Sequence, residues 1–184
     1  ASYVWIWTAL MTVQWITAIN IVEDWSQNSE QRLRFFAIME QVISPLTLII
    51  QLFFTNLIIK KIGIKNILLS YGILFFIAFI LYGLIPSIIS VGVVTVLLRV
   101  FEYGINKPTR ETIFSTLKKN DRYKSTVFID TFISRFGDLS GSGFIAIGKL
   151  TSIAANSLPL IAIPIAGFLS ILGIRISRNC LLYT

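Results

Sequence analysis

Long apolar stretches constrain the fold of this chain more than any other feature of its 184 residues. A helix that crosses a lipid bilayer needs about 20 mostly apolar residues. Stretches of this kind occupy residues 3–21, 35–59, 66–85, 88–105, 127–148 and 153–174. The sequence therefore predicts an all-α integral membrane protein, with six transmembrane helices in a single bundle that spans residues 1–184.

Composition excludes several classes of function. Hydrophobic residues make up 55% of the chain and charged residues 14%, whereas an average soluble domain carries about 25% charged residues. A soluble domain of this length could not bury so much apolar surface, so a cytosolic enzyme is excluded. The chain has no histidine and one cysteine, Cys180, which argues against Ser-His or Cys-His catalysis, zinc sites and a disulfide framework. We therefore expect no enzymatic activity, no bound metal and no cofactor.

The lysines and arginines are distributed unevenly among the connections. Of the 16 in the chain, eleven lie in residues 60–65, in residues 106–126 or after residue 174, and three lie in the other connections. Basic residues accumulate on the cytoplasmic side of membrane proteins, so these segments and the N-terminus are predicted to face the cytoplasm or an equivalent compartment. Residues 106–126 are predicted to form a basic loop there. The net charge of +7 is thereby assigned to topology and not to nucleic-acid binding.

Charged residues also fall inside the predicted spans. They are Glu40, Arg99, Glu102, Asp130, Arg135 and Asp138. Each costs about 2.5–3.5 kcal/mol at the centre of a membrane helix, so these side chains need partners or water. Arg99 and Glu102 are three residues apart, as are Arg135 and Asp138. This spacing predicts two ion pairs, each on one helix face.

Two interpretations of these charges are open. In one, they form internal salt bridges that fix the packing of the helices. In the other, they line a polar, water-accessible pathway at the centre of the bundle. The second is favoured by Lys107, Arg110 and Lys124, which flank the membrane ends of two charged spans, because Arg and Lys at a cavity mouth suit a polyanionic substrate. Trp7 and Trp15 are assigned to packing.

The same region carries a family resemblance. The run RVFEYGINKPTRETIFSTL at residues 99–117, with DRYKSTVFIDTFISRFGD at residues 121–138, resembles the ATP/ADP translocases of obligate intracellular bacteria and plastids and their bacterial homologues. The matching residues are Arg99, Glu102, Tyr103, Lys107, Pro108, Arg110, Glu111, Phe114, Tyr123, Lys124, Ile129, Asp130, Arg135, Gly137 and Asp138. The resemblance implies a twelve-helix, major-facilitator-like antiporter that exchanges ATP for ADP and phosphate by alternating access. This chain would be its C-terminal six-helix half.

The resemblance also implies roles for individual residues. The cations implied to bind the nucleotide substrate are Lys107, Arg110, Arg135, Arg99 and Lys124. The carboxylates implied to be their ion-pair partners in a gate are Glu102, Asp130 and Asp138. One departure is the run Lys124-Ser125-Thr126, where family members often carry Lys-Ala-Lys. The lost positive charge affects the expected substrate affinity and not the fold.

A carrier of this kind binds its substrate between two halves, and six helices supply only one. We therefore expect a missing N-terminal six-helix half, either earlier in a longer chain or on a separate polypeptide. The sequence begins Ala1-Ser2, without methionine, as in a processed or incomplete chain. The alternative hypothesis is a half-carrier that serves as a non-transporting structural subunit of a larger membrane complex. The expected location is the inner membrane of a bacterium, an endosymbiont or an organelle.

Overall fold

The structure is a computed structural model that describes residues 1–115, 119–151 and 157–181, with side chains at these positions except 119–120 and 177–181. Within this part of the chain 94% of the residues are helical and none lies in a strand, which confirms the all-α prediction. The helices are α1 (Ser2–Trp25), α2 (Ser29–Ile62), α3 (Ile64–Leu84), α4 (Ile88–Ser115), α5 (residues 119–150) and α6 (Leu158–Leu181).

Five of the described helices are long and apolar enough to cross a membrane, namely α1, α2, α3, α4 and α6. They make the chain a multi-pass membrane protein. The predicted span at residues 127–148 corresponds to α5, whose apolar residues are interrupted by Asp130, Arg135, Asp138 and several serines and glycines. A membrane-spanning α5 stays a prediction. The predicted span at 153–174 starts within residues 152–156, outside the described residues, and continues as α6.

Two close helix pairs form the body of the bundle. α3 lies along α6, and α1 lies along α5. Glycines permit both approaches, because a Cβ on Gly72 would lie 2.8 Å from the backbone nitrogen of Ser170 and one on Gly141 would lie 2.5 Å from the carbonyl oxygen of Ala9. Small residues at such contacts are typical of membrane helices. α1 also contacts α3, α4 and α6, so it lies at the centre of the bundle.

The interior contains a column of aromatic side chains from α3. Tyr71, Phe75, Phe79 and Tyr82 have no exposed surface, and their helical spacing places them on one side of α3. α2 is covered far less. Only 11% of its most apolar 18-residue window is buried, against 44% in α1. α2 therefore presents most of its surface to whatever surrounds this bundle.

Three of the described helices contain a widened, π-helical turn. These turns are Ile50–Phe54 in α2, Glu102–Asn106 in α4 and Phe128–Ile133 in α5. In such a turn a backbone N–H bonds the carbonyl five residues earlier, and the turn takes in one more residue than usual. The N–H of Lys107 bonds the carbonyl of Glu102 in this way. The apolar pattern of the sequence contains no sign of these turns.

The predicted basic loop at residues 106–126 is helical wherever the structure describes it. α4 continues to Ser115 and α5 begins at residue 119, with 116–118 outside the described residues. Pro108 has no N–H for the carbonyl one turn earlier, but it does not end α4, because the carbonyl of Gly104 accepts a 2.6 Å hydrogen bond from the Thr55 hydroxyl instead. Lysine, arginine and glutamate are also good helix formers, so the helices extend past the apolar segments.

Candidate functional site

Arg99 pairs with Glu40 of α2 and not with Glu102, the partner that its spacing predicted. Its guanidinium forms an ion pair with the Glu40 carboxylate and lies 4.7 Å from the ring centre of Trp15. The predicted pairing is therefore wrong. Residues three apart on a helix point about 60° away from each other. On α4 this difference directs Arg99 toward α2, while Glu102 is directed into the bundle, where it is 2% exposed.

Arg135 and Asp138 of α5 form the second predicted pair, which the structure confirms at 3.6 Å. The other carboxylate oxygen of Asp138 accepts a hydrogen bond of 2.9 Å from the Thr12 hydroxyl of α1. The Arg135 side chain is 83% exposed. Thr12 therefore holds the carboxylate in place, and the carboxylate orients an exposed guanidinium.

These two ion pairs lie at about the same depth in the bundle. Glu40 and Arg99 each lie 11 residues after the start of their helix, and Asp138 lies 12 residues before the end of α5. Because consecutive helices alternate in direction, these three helix ends are on the same side. At 1.5 Å per residue the distance from these helix ends is roughly 16–18 Å, which is about half the length of α1 and of α3. We call Glu40, Arg99, Arg135 and Asp138 the midplane ion layer.

One turn of α1 connects the two pairs. Trp15 contacts Arg99 and Thr12 binds Asp138, and residues three apart on a helix are neighbours. The pairs therefore flank α1 on a side of the bundle where Arg135 and half of the Glu40 side chain are exposed. The sequence assigned Trp15 to packing and did not single out Thr12. The available signal was their depth in the first span, which matches that of the predicted charges.

A third ion pair joins Glu102 and Arg110 inside the bundle. Arg110 Nη2 lies 3.1 Å from Glu102 Oε1, and the Asn106 amide donates a 2.5 Å hydrogen bond to Glu102 Oε2. Over eight residues of a regular α-helix, the directions of these two side chains would differ by about 80°. The widened turn between them takes in one extra residue, which offsets about 100° of rotation and brings both side chains to one face. The pair thus depends on the π-helical turn.

Trp7 completes the surroundings of Arg110. The ring centre lies 4.4 Å from the guanidinium carbon, and the indole N–H donates a 2.9 Å hydrogen bond to the Tyr71 hydroxyl. Within the described part of the chain, Arg110 Nε and Nη1 have no hydrogen-bond partner, and the face of Trp7 provides a cation–π contact instead. Arg110 is 8% exposed. To bind substrate, as the resemblance implies, it would have to leave Glu102.

The remaining predicted site residues, Lys107, Lys124 and Asp130, are exposed. None of them forms an ion pair with a side chain that the structure describes. Lys107 and Lys124 lie toward the end of the bundle at which α2 ends and α3 begins. We call this the basic end, after the exposed lysines Lys60, Lys61, Lys65, Lys107 and Lys124. The gate role of Asp130 stays a prediction.

The structure thus divides the predicted residues among three environments: the midplane ion layer, the buried pair and the exposed basic end. Their roles in binding a nucleotide stay predictions. Comparison with known proteins identifies no relative: no protein-family model, curated protein or solved structure matches this chain.

Proposed function

We propose that this chain is one half of a membrane carrier that exchanges adenine nucleotides, ATP for ADP and phosphate, by alternating access. The observation that supports the proposal most directly is the midplane ion layer. Its two charged pairs lie at one depth, on either side of a turn of α1. Carriers bind their substrates near the bilayer midplane, between two halves of the molecule.

The exposed charges of this layer require surroundings other than lipid. A charged side chain costs about 2.5–3.5 kcal/mol at the centre of a membrane helix, and the side chains of Arg135 and Glu40 are 83% and 51% exposed. Ion pairing reduces this cost but leaves polar groups facing outward. Water in a cavity closed by a second helical bundle would solvate them, and the little-covered α2 provides a surface for that bundle.

Arg135 is the residue that we expect to meet the phosphates first. A guanidinium can bind a phosphate through two parallel hydrogen bonds, and Asp138 competes for it only across 3.6 Å. Because Thr12 also holds Asp138, the carboxylate can keep its position when the guanidinium turns toward a substrate. Lys107 and Lys124 at the basic end would attract a polyanion toward the cavity.

A structural subunit is the second candidate function, and one observation favours it. Arg99, Arg110 and Arg135 each have a carboxylate partner, so these charges are neutralised without any ligand. Polar contacts of this kind also serve to hold helices together. Such a subunit would be recovered at fixed stoichiometry in a larger membrane complex, with a partner covering α2.

Nucleotide counter-exchange tests the carrier proposal. The chain is reconstituted in ADP-loaded proteoliposomes with its candidate first half, and uptake of labelled ATP is measured. Arg135→Gln is expected to abolish saturable exchange, whereas Lys149→Gln, which removes a charge near the far end of α5, is expected to preserve it. Equal exchange in both variants would reject the role of Arg135. No exchange by the unaltered protein, together with its recovery in a fixed complex, would favour the structural subunit.

A further inference from the structure

The widened turns of α2 and α4 lie against each other. The Gln51 amide donates a 2.9 Å hydrogen bond to the carbonyl of Tyr103, and the Thr55 hydroxyl donates one of 2.6 Å to the carbonyl of Gly104. Gln51 lies in the widened turn of α2 and Thr55 follows it directly, while both carbonyls belong to the widened turn of α4. The two irregular turns are therefore joined by two hydrogen bonds.

These hydrogen bonds replace two that α4 cannot make within itself. In a regular α-helix the Tyr103 carbonyl would accept from the N–H of Lys107, but that N–H bonds the carbonyl of Glu102. The Gly104 carbonyl would accept from residue 108, which is a proline and has no N–H. Since unpaired backbone groups are costly in a membrane, α2 stabilises the widened turn of α4.

The contact between the two turns is also close. A Cβ on Gly104 would lie 2.9 Å from Ile50 Cγ2, so a larger residue at this position would push the helices apart. Hydrogen bonds and close packing at one point make the two turns a single joint.

Packing is sparse on the basic-end side of this joint. In Thr55–Ile62 only Thr55 is buried, and in Lys107–Ser115 only Thr109 and Arg110 are buried. On the other side of the joint, Ile88–Phe101 of α4 has five buried side chains, so α4 becomes less packed across the joint. α2 is sparsely packed on both sides, because its Ser29–Ile49 segment has only two buried side chains, and its end is free to follow α4. Segments with few buried contacts move at the lowest cost, and sharp bends in helices occur at π-helical turns.

We infer that Thr55–Ile62 of α2 and Lys107–Ser115 of α4 swing together about the joined turns, opening and closing the basic end of the bundle. The Glu102–Arg110 pair bridges the α4 turn on its interior side and limits the swing. The inference rests on the proposed function in one respect, because opening and closing serves a purpose only if a solute passes.

Distance measurements between spin labels test the motion without any transport assay. In a Cys180→Ser background in lipid nanodiscs, one label pair occupies positions 112 and 175 and the second occupies 61 and 175, all exposed in the structure. α6 is the reference because it lies along α3. Both pairs are expected to give broad or two-component distance distributions. A single narrow distribution for both would overturn the inference.

Deletion of Tyr103 removes the extra residue of the α4 turn. Glu102 and Arg110 would then be seven residues apart in a regular helix, again on one face, so the variant is expected to fold and to give single narrow distributions. Distributions as broad as those of the unaltered protein would overturn the inference. Deletion of Val96 is the control, because it rotates the rest of α4 by about 100° and is expected to prevent folding.

A second variant removes the coupling without shortening the chain. Gln51→Leu combined with Thr55→Val eliminates both donors to α4. The distance distributions of the two label pairs are then expected to differ from those of the unaltered protein, because α2 and α4 are no longer joined at their widened turns. Gln41→Leu, at an exposed glutamine of the same helix, is expected to change neither. Distributions in the double variant that match the unaltered protein would overturn the coupling, even if the deletion variant does not fold.

Nucleotide exchange separates this inference from the proposed function. If the unaltered protein exchanges nucleotides, deletion of Tyr103 is expected to abolish exchange while the protein stays folded. Full exchange by the folded deletion variant would overturn the inference. Absence of exchange in the unaltered protein would reject the proposed function, and the label distances would still decide whether the joint moves.

Discussion

The Thr12 hydroxyl and the Asp138 carboxylate join α1 to α5 through a 2.9 Å hydrogen bond at the depth of the midplane ion layer. Such a hydrogen bond between membrane helices contributes about 0.6 kcal/mol on average, which is small compared with the packing of the two helices. Its main effect is therefore directional. It holds Asp138 where the carboxylate can orient Arg135, 3.6 Å away.

Replacement of Thr12 by valine tests this directional role. Thr12→Val keeps the shape of the side chain, so the free energy of unfolding is expected to fall by about 1 kcal/mol or less. The ATP concentration that gives half-maximal exchange is expected to rise, because Arg135 is no longer held in one orientation. Thr17→Val is the control, because both hydroxyls lie within hydrogen-bond distance of the carbonyl four residues earlier in α1, but only that of Thr12 also reaches a carboxylate. Equal effects of both variants on exchange would contradict the role of Thr12.

Removal of one partner of the buried pair should destabilise the protein strongly. Glu102→Leu leaves Arg110 buried without its carboxylate, and breaking a buried pair in this way costs about 3–5 kcal/mol. The double variant Glu102→Leu with Arg110→Met removes both charges and is expected to recover most of that loss. Thermal unfolding in mild detergent measures both. If Glu102→Leu were as stable as the double variant, the result would contradict this prediction, because the Arg110 guanidinium would then be stabilised without Glu102.

The contact between α1 and α5 should be sensitive to a single methyl group. A Cβ on Gly141 would lie 2.5 Å from the carbonyl oxygen of Ala9, whereas one on Gly143 would have no atom within 4 Å. Gly141→Ala is therefore expected to lower the free energy of unfolding by about 1–3 kcal/mol. Gly143→Ala, inside the same helix, is expected to raise it by about 0.5–1 kcal/mol, because alanine is the better helix former. Equal free energies of unfolding for the two variants would contradict a close contact between α1 and α5 at Gly141.

The pair of Glu40 and Arg99 should show measurable coupling. A double-mutant cycle with Glu40→Gln and Arg99→Gln is expected to give a coupling energy of about 0.5–1 kcal/mol, since residues in contact are non-additive but Glu40 is half exposed. The pair of Glu23 and Arg32, 3.5 Å apart at the connection of α1 and α2, is the control. As a water-exposed pair it is expected to couple more weakly and to lose its coupling in salt. A larger coupling in the control pair would contradict the expectation that the pair of Glu40 and Arg99 is less exposed to bulk water than a surface pair.

The sequence by itself determined the features that depend on residues close together in the chain. Apolar stretches of sufficient length predict helices and a membrane protein, because burial in a bilayer depends on length and composition. The pair of Arg135 and Asp138 was predictable for the same reason: both lie on one continuous stretch of helix, and a spacing of three residues brings them together.

Only the tertiary structure decided the other two pairs. Glu40 is 59 residues away from Arg99 in the sequence, so their pairing depends on α2 lying beside α4. Glu102 reaches Arg110 because a π-helical turn lies between them, and that turn is stabilised by Gln51 and Thr55 of another helix. Pro108 has no N–H to donate to the carbonyl of Gly104, one turn earlier. α4 continues through it because α2 supplies the missing donor, and no local pattern in the sequence records which helices become neighbours.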